Sequence, residues 1–102
     1  MMFKKELIDK ILKGTKTMTS RSKPLYRKGE ITNLMANKDY SKSTGKYIRI
    51  TKVYQKALNE FDNEDSKKEG FENLDQFKMY WKENVGTWRP NDVVWVHEFE
   101  LV

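Results

Sequence analysis

A chain of 102 residues carrying a net charge of +5 has room for one domain, residues 1–102, and little more. The absence of cysteine and the single histidine exclude disulfides, thiolate nucleophiles, cysteine-ligated zinc and histidine-rich metal sites, so neither a metal nor a cofactor is expected. No apolar run approaches the roughly 18 residues of a membrane span, and the missing disulfides suit a reducing interior, so the expectation is a cytoplasmic monomer with no membrane partner.

In chain order, Phe3, Leu7, Ile8, Ile11 and Leu12 recur at helical spacing, with lysines and Asp9 on the other side. Gly14 is placed to end that helix in a left-handed cap. The threonine-rich run Thr15 to Arg21 predicts a strand, broken by Lys23 and Pro24. Lys28-Gly29 is a turn signal before a second strand, Ile31 to Ala36. The polar stretch Asn37 to Lys46 reads as a loop in which Gly45 marks a turn. Tyr47 to Tyr54 is a third strand, whose alternation puts Ile48, Ile50 and Tyr54 on one face and Arg49, Thr51 and Val53 on the other.

A short helix follows over Asp62 to Glu69, closed by Gly70. The next helix has a capping-box variant at Asn73 and Gln76 and carries Leu74, Phe77, Tyr80 and Trp81 on one side. Pro90 bars its continuation, and Val93 to Val102 predicts a last strand with an apolar odd-numbered face from Val93 to Leu101. His97 on that face reads as a satisfied core histidine, and Trp81 and Trp95 as core. Partly segregated helices and strands favour α+β over a doubly wound sheet, and several strands without βαβ alternation allow a small, partly closed barrel.

The charge is lopsided. Residues 1–57 hold fifteen Lys and Arg against four Asp and Glu, and residues 58–102 hold five against eleven. A basic half suits a polyanion such as RNA, although a surface tuned for solubility explains it equally well.

Three residue types in this chain can build a nucleophilic site without histidine or metal. Lys16 and Thr19 follow the first helix, and Glu69 ends the second. A threonine hydroxyl needs a base, and a lysine serves as one only when burial or nearby cations lower its pKa. A carboxylate can orient that lysine and steady the proton transfers. These residue types are common, and an ordinary strand and helix end account for them as well. Lys16 and Thr19 are also an odd number apart, so a regular strand would point them to opposite faces. They converge only if the chain bends or bulges between them.

The segment Ile11 to Arg21, with Gly14-x-Lys16-x-x-Thr19-x-Arg21 filled at each position, resembles the signature of the ASCH domain family of the PUA-like superfamily. Lys28-Gly29-Glu30, Ile48 to Thr51, Glu69-Gly70-Phe71, the Leu74-to-Trp81 helix and the closing Val94-to-Leu101 strand follow in family order. The resemblance implies an α+β PUA-like pseudo-barrel with flanking helices and a cleft between sheet and helices. It also implies RNA binding or RNA-related chemistry. A bacterial branch of similar length removes the acetyl group from N4-acetylcytidine. Its proposed lysine, threonine and glutamate fall on Lys16, Thr19 and Glu69, with Arg21, Thr17, Tyr26 and Trp88 as candidate substrate-binding residues. The stretches Asn37 to Lys46 and Trp88-Arg89-Pro90 depart from that branch. Three functions stay open: an acyl-nucleoside amidohydrolase, a non-catalytic RNA-binding module and an RNA-cleaving protein. In the second, Arg21, Lys23, Arg27 and Lys28 would meet phosphates, and Tyr26 or Trp88 would stack on a base.

Overall fold

The computed structural model describes residues 1–36 and 43–102. Five strands form one sheet in the order β1-β3-β4-β5-β2. They are β1 (Met2–Phe3), β2 (Met18–Arg21), β3 (Ile31–Ala36), β4 (Ser43–Ala57) and β5 (Val93–Leu101), joined by helices α1 (Lys5–Leu12), α2 (Asn63–Lys68) and α3 (Leu74–Asn84) and a short 3-10 turn at Leu58–Glu60. Only β1 and β3 run parallel; the other pairs are antiparallel. The sheet curls into a half-barrel flanked by the helices, an α+β PUA-like pseudo-barrel.

The helix ends at Gly14, Asp62 and Asn73 fall where the sequence directs. Gly14 adopts φ +82° after α1, a conformation that a side chain would strain. Asp62 caps α2 by accepting from the Asp65 N–H at 2.9 Å, and Asp65 returns the bond at 3.1 Å, leaving Glu69 as the C-terminal cap. Asn73 accepts from the Gln76 N–H at 2.9 Å, but the Gln76 side chain reaches one residue further back, to the Glu72 N–H, than a regular capping box would.

Three expectations about element bounds need correction. Phe3 is not helical: Met2–Phe3 pairs with Met35 and Ala36 as an edge strand, because the Lys4 carbonyl already serves as the first acceptor of α1. Thr15 to Thr17 stay outside β2, their N–H groups bonding instead to the Lys10 and Lys68 carbonyls. Gly45 lies within the first residues of β4, where the β3–β4 register shifts, rather than at a separate turn. The rest of the predicted loop falls partly outside the described residues.

The faces of β4 and β5 also differ from simple alternation. A register shift between Ile50 and Lys52 reverses the later residues of β4, so Val53 joins the cluster of Ile48 and Ile50 while Tyr54 packs on the opposite side. On β5, Val94 and Val96 are as buried as His97 and Phe99. That strand has cover on both faces. Its odd side meets the α1 cluster of Leu7, Ile8, Ile11, Leu34 and Ile50, and its even side meets the α3 cluster of Met18, Phe61, Phe77 and Trp81. Trp95 is only half-buried, because it sits toward the open end of the strand.

Phe77 is the hub of the α3 cluster, with ring contacts to Phe61, Phe71, Trp81 and Trp88 at 5.5–6.0 Å. Phe77→Ala should cost about 3–5 kcal/mol. In thermal denaturation a melting temperature lowered by at least about 10 °C is the expected result.

Candidate active site

β2 is an edge strand, and the barrel does not close beside it. Instead the Arg21 guanidinium reaches the opposite edge, donating to the Met2 carbonyl at 2.9 Å and lying 5.1 Å from the centre of the Phe3 ring. Lys4 and Asn84 bond across the same gap, linking β1 to the end of α3. A pocket of about 200 Å³ occupies this seam. Lys16, Thr19, Ser20, Arg21 and Glu69 form its polar wall, and Phe3, Phe71, Tyr80 and Trp81 its aromatic wall.

Lys16 and Glu69 are each 3% exposed and Thr19 6%, so these charges and hydroxyls are shielded from bulk water. Lys16 and Thr19 line one pocket although a regular strand would part them, because β2 begins only at Met18. Lys16 lies before it and turns its amine back to donate to the Met18 carbonyl at 2.7 Å. The same amine donates to the Glu69 carbonyl at 2.9 Å and faces Glu69 Oε1 at 3.5 Å. The approach is close: a Cβ on Gly70 would stand 3.2 Å from the Lys10 side chain and 3.3 Å from Lys16 Cβ, and φ there is +101°. Only glycine suits both constraints.

Burial is the largest influence on both members of this pair. It lowers the Lys16 pKa, with the Glu69 charge opposing, and raises the Glu69 pKa, with the Lys16 charge opposing. Both protonation arrangements can be satisfied. An ammonium has three donors for two carbonyls and a carboxylate. A neutral amine keeps two donors for the carbonyls and turns a lone pair toward a protonated Glu69. The proton can therefore move within the pair without leaving a polar group orphaned.

Glu69 is also held from its other oxygen, where Ser20 Oγ donates to Oε2 at 2.6 Å. Ser20 was not singled out in the sequence; its signal is only that it neighbours Thr19 on an edge strand. Beyond Glu69, α2 is fastened to the sheet by Lys56–Asp65 at 2.9 Å and Lys68–Glu98 at 3.8 Å, and the Tyr54 hydroxyl of β4 donates to the same Glu98 at 2.8 Å. Burial and the adjacent Glu98 carboxylate push the Tyr54 pKa upward, so it remains a donor. The aromatic wall from α3 was legible as a helix face but read as core alone; the pocket borrows its Tyr80 and Trp81 edge.

The remaining candidates lie elsewhere. Thr17 is exposed, and its backbone bridges the Lys68 carbonyl and the Phe99 N–H. Tyr26 packs edge-on to His97 at 6.2 Å. Trp88 stands in the aromatic cluster against Phe77 and Trp81 under the Lys78 amine. None of the three lines this pocket. Among the described residues no group of three or more metal-binding side chains occurs, and no helix is long and apolar enough to cross a membrane.

A seam pocket in a curled α+β half-barrel places the chain in the PUA-like class. An ASCH domain model matches residues 1–102, and the chain belongs to the ASCH domain family. Two solved structures share the fold. A protein of Enterococcus faecalis V583 from the DUF984 family has a TM-score of 0.71 at 22% identity, covering 95% of this chain and 67% of its own. The ASCH domain from Lactobacillus crispatus JV V101 has a TM-score of 0.69 at 16% identity, covering 94% of this chain and 70% of its own. No curated protein matches the chain by sequence.

His97 departs from the expectation of a satisfied core residue. It is fully buried, directly opposite Thr19 in the β2–β5 ladder, and among the described residues neither ring nitrogen has a hydrogen-bond partner. The Trp95 and Thr19 backbones act on the ring without reaching hydrogen-bond geometry. Burial lowers its pKa. The unfolded chain thus binds the proton better. The stability tied to neutral His97 is present above the unfolded-state value of about 6.5 and is lost as pH falls below it. Glu69, with its pKa raised, acts in the opposite sense. Melting curves between about pH 8 and 5 should therefore show a steeper acid loss for the parent than for His97→Leu; parallel curves would show that His97 does not titrate differently on folding.

Proposed function

We propose that this protein is an amidohydrolase acting on an acylated nucleoside such as N4-acetylcytidine, with Thr19 as nucleophile, Lys16 as base and Glu69 as its partner. The observation that supports this reading most is that all three side chains line one shielded pocket, with the amine and carboxylate in contact. The neutral Lys16 amine turns its lone pair from Glu69 to the Thr19 hydroxyl and takes its proton as the Thr19 oxygen attacks the acetyl carbonyl carbon. Arg21, which spends one of its donors on Met2, faces the oxyanion with others. The intermediate collapses by breaking the C–N bond, and the proton held by Lys16 passes to the leaving amine while Glu69 steadies the transfer. Water, giving its proton to Lys16, then splits the Thr19 ester; acetate departs and Thr19 recovers its proton. Ser20 keeps Glu69 turned toward the amine throughout.

At about 200 Å³ the pocket is below the roughly 300–1,000 Å³ of sites for drug-sized ligands. It suits one base-sized group rather than a polymer segment. The basic residues 1–57 favour a second reading, a non-catalytic RNA-binding or RNA-cleaving protein, in which exposed Lys23, Arg27 and Lys28 would meet phosphates.

Acetate release from N4-acetylcytidine separates the two. Thr19→Val should lower kcat by at least about 100-fold with an unchanged melting temperature, and Lys16→Met should do the same at a cost in stability. The alkaline-activated limb of the parent's pH–rate profile should lie below the ordinary lysine range, following the direction of the Lys16 shift. Full activity in Thr19→Val would remove the nucleophile assignment. Tight, salt-sensitive RNA binding without turnover would favour the second reading.

A further inference from the structure

The seam pocket does not end at Arg21. A second hollow of about 400 Å³ continues along the outer edge of β2 toward the start of β5. Ser20, Arg21, Trp81 and Val85 line both hollows, so the two adjoin along β2. Their characters differ. The inner hollow holds the buried lysine, threonine and glutamate. The outer one adds the Ser22 hydroxyl and the Asp92 carboxylate, flanked by Val93.

Asp92 is placed by its backbone rather than by its side chain. Its N–H bonds to the Arg89 carbonyl at 3.0 Å, and its own carbonyl accepts from the Leu58 N–H at 2.9 Å. Among the described residues its exposed carboxylate makes no ion pair or hydrogen bond, leaving an acceptor at the hollow open to a ligand while the backbone beneath it is fixed. Val85 and Val93, which line the same hollow, are 59% and 52% exposed, apolar side chains left uncovered beside it.

A carboxylate between apolar walls suits a neutral group with a hydroxyl edge and a hydrocarbon face. Such a carboxylate accepts from the vicinal hydroxyls of a ribose, as acidic residues do in dinucleotide sites. It repels a phosphate at the same place. Resting on the amidohydrolase reading, we infer that the outer hollow is a ribose subsite in which Asp92 accepts from the sugar hydroxyls. Asp92 is then a specificity-determining residue that favours the nucleoside over the bare base and over the same residue inside RNA.

The test compares kcat/KM for N4-acetylcytidine, N4-acetylcytosine and a short RNA containing N4-acetylcytidine, using the full chain and Asp92→Asn. The nucleoside should be favoured over the base by about tenfold or more, the worth of one charge-assisted hydrogen bond. Asp92→Asn should erase that preference through KM, with kcat for either compound and the melting temperature unchanged. Equal use of base and nucleoside by the parent, an equal loss on both in the variant, or RNA cleaved as well as the nucleoside would overturn the subsite. If none of the three compounds is hydrolysed, the amidohydrolase reading has failed. Calorimetry with cytidine then decides the subsite alone: weaker binding to Asp92→Asn upholds it, and equal or absent binding to the parent overturns it.

Discussion

The buried contact between Lys16 and Glu69 is the constraint around which the rest is arranged. Two ionisable groups at 3% exposure are tolerable only if nearly every donor and acceptor they bring is answered. Removing one partner of such a pair costs about 3–5 kcal/mol. The answers come from separate parts of the chain: the Met18 carbonyl in β2, the Glu69 carbonyl at the end of α2 and the Ser20 hydroxyl. Each holds only if the helix ends fall where they do. Gly14 releases Lys16 from α1, and Gly70 lets the chain pass within 3.3 Å of it.

The half-barrel turns this contact into a pocket. A closed barrel would bury β2 on both edges and leave no opening. Here β1 and β2 are the two free edges, bridged by Arg21 to the Met2 carbonyl rather than by a ladder. The seam lets residues from both sheet faces meet: Thr19 and Arg21 alternate with Ser20 along β2, yet all three line the hollow. Because β5 is covered on both sides, one strand supports two hydrophobic clusters. The aromatic face of α3 can then serve as core at Phe77 and as pocket wall at Tyr80.

The electrostatics make the pocket suited to moving protons. Burial biases Lys16 and Glu69 toward their neutral forms, and hydrogen bonds are available for either arrangement of the shared proton. Fold alone does not assign a reaction. The likeness to two solved structures at 22% and 16% identity speaks to the fold. The chemistry is argued from the side chains in the seam.

Much of this protein was legible in its sequence because the signals are local. Helix ends follow from Asp62, Asn73 and Gly14, which bond to backbone groups a few residues away. The strand Ile31–Ala36 and the closing strand from Val93 follow from period-two patterns, and Lys16, Thr19, Arg21 and Glu69 stand out through a family signature. What depends on distant neighbours was not legible. Phe3 becomes a strand because β3 offers it partners; Val53 and Tyr54 exchange faces because of a register shift against β5; His97 is buried where no hydrogen-bond partner among the described residues reaches its ring. Ser20 matters only because α2 delivers a carboxylate 2.6 Å from its hydroxyl. Local sequence decides which groups are available and where most helices end. Tertiary structure alone decided which of them share a dry hollow, because burial and long-range pairing belong to the folded chain as a whole.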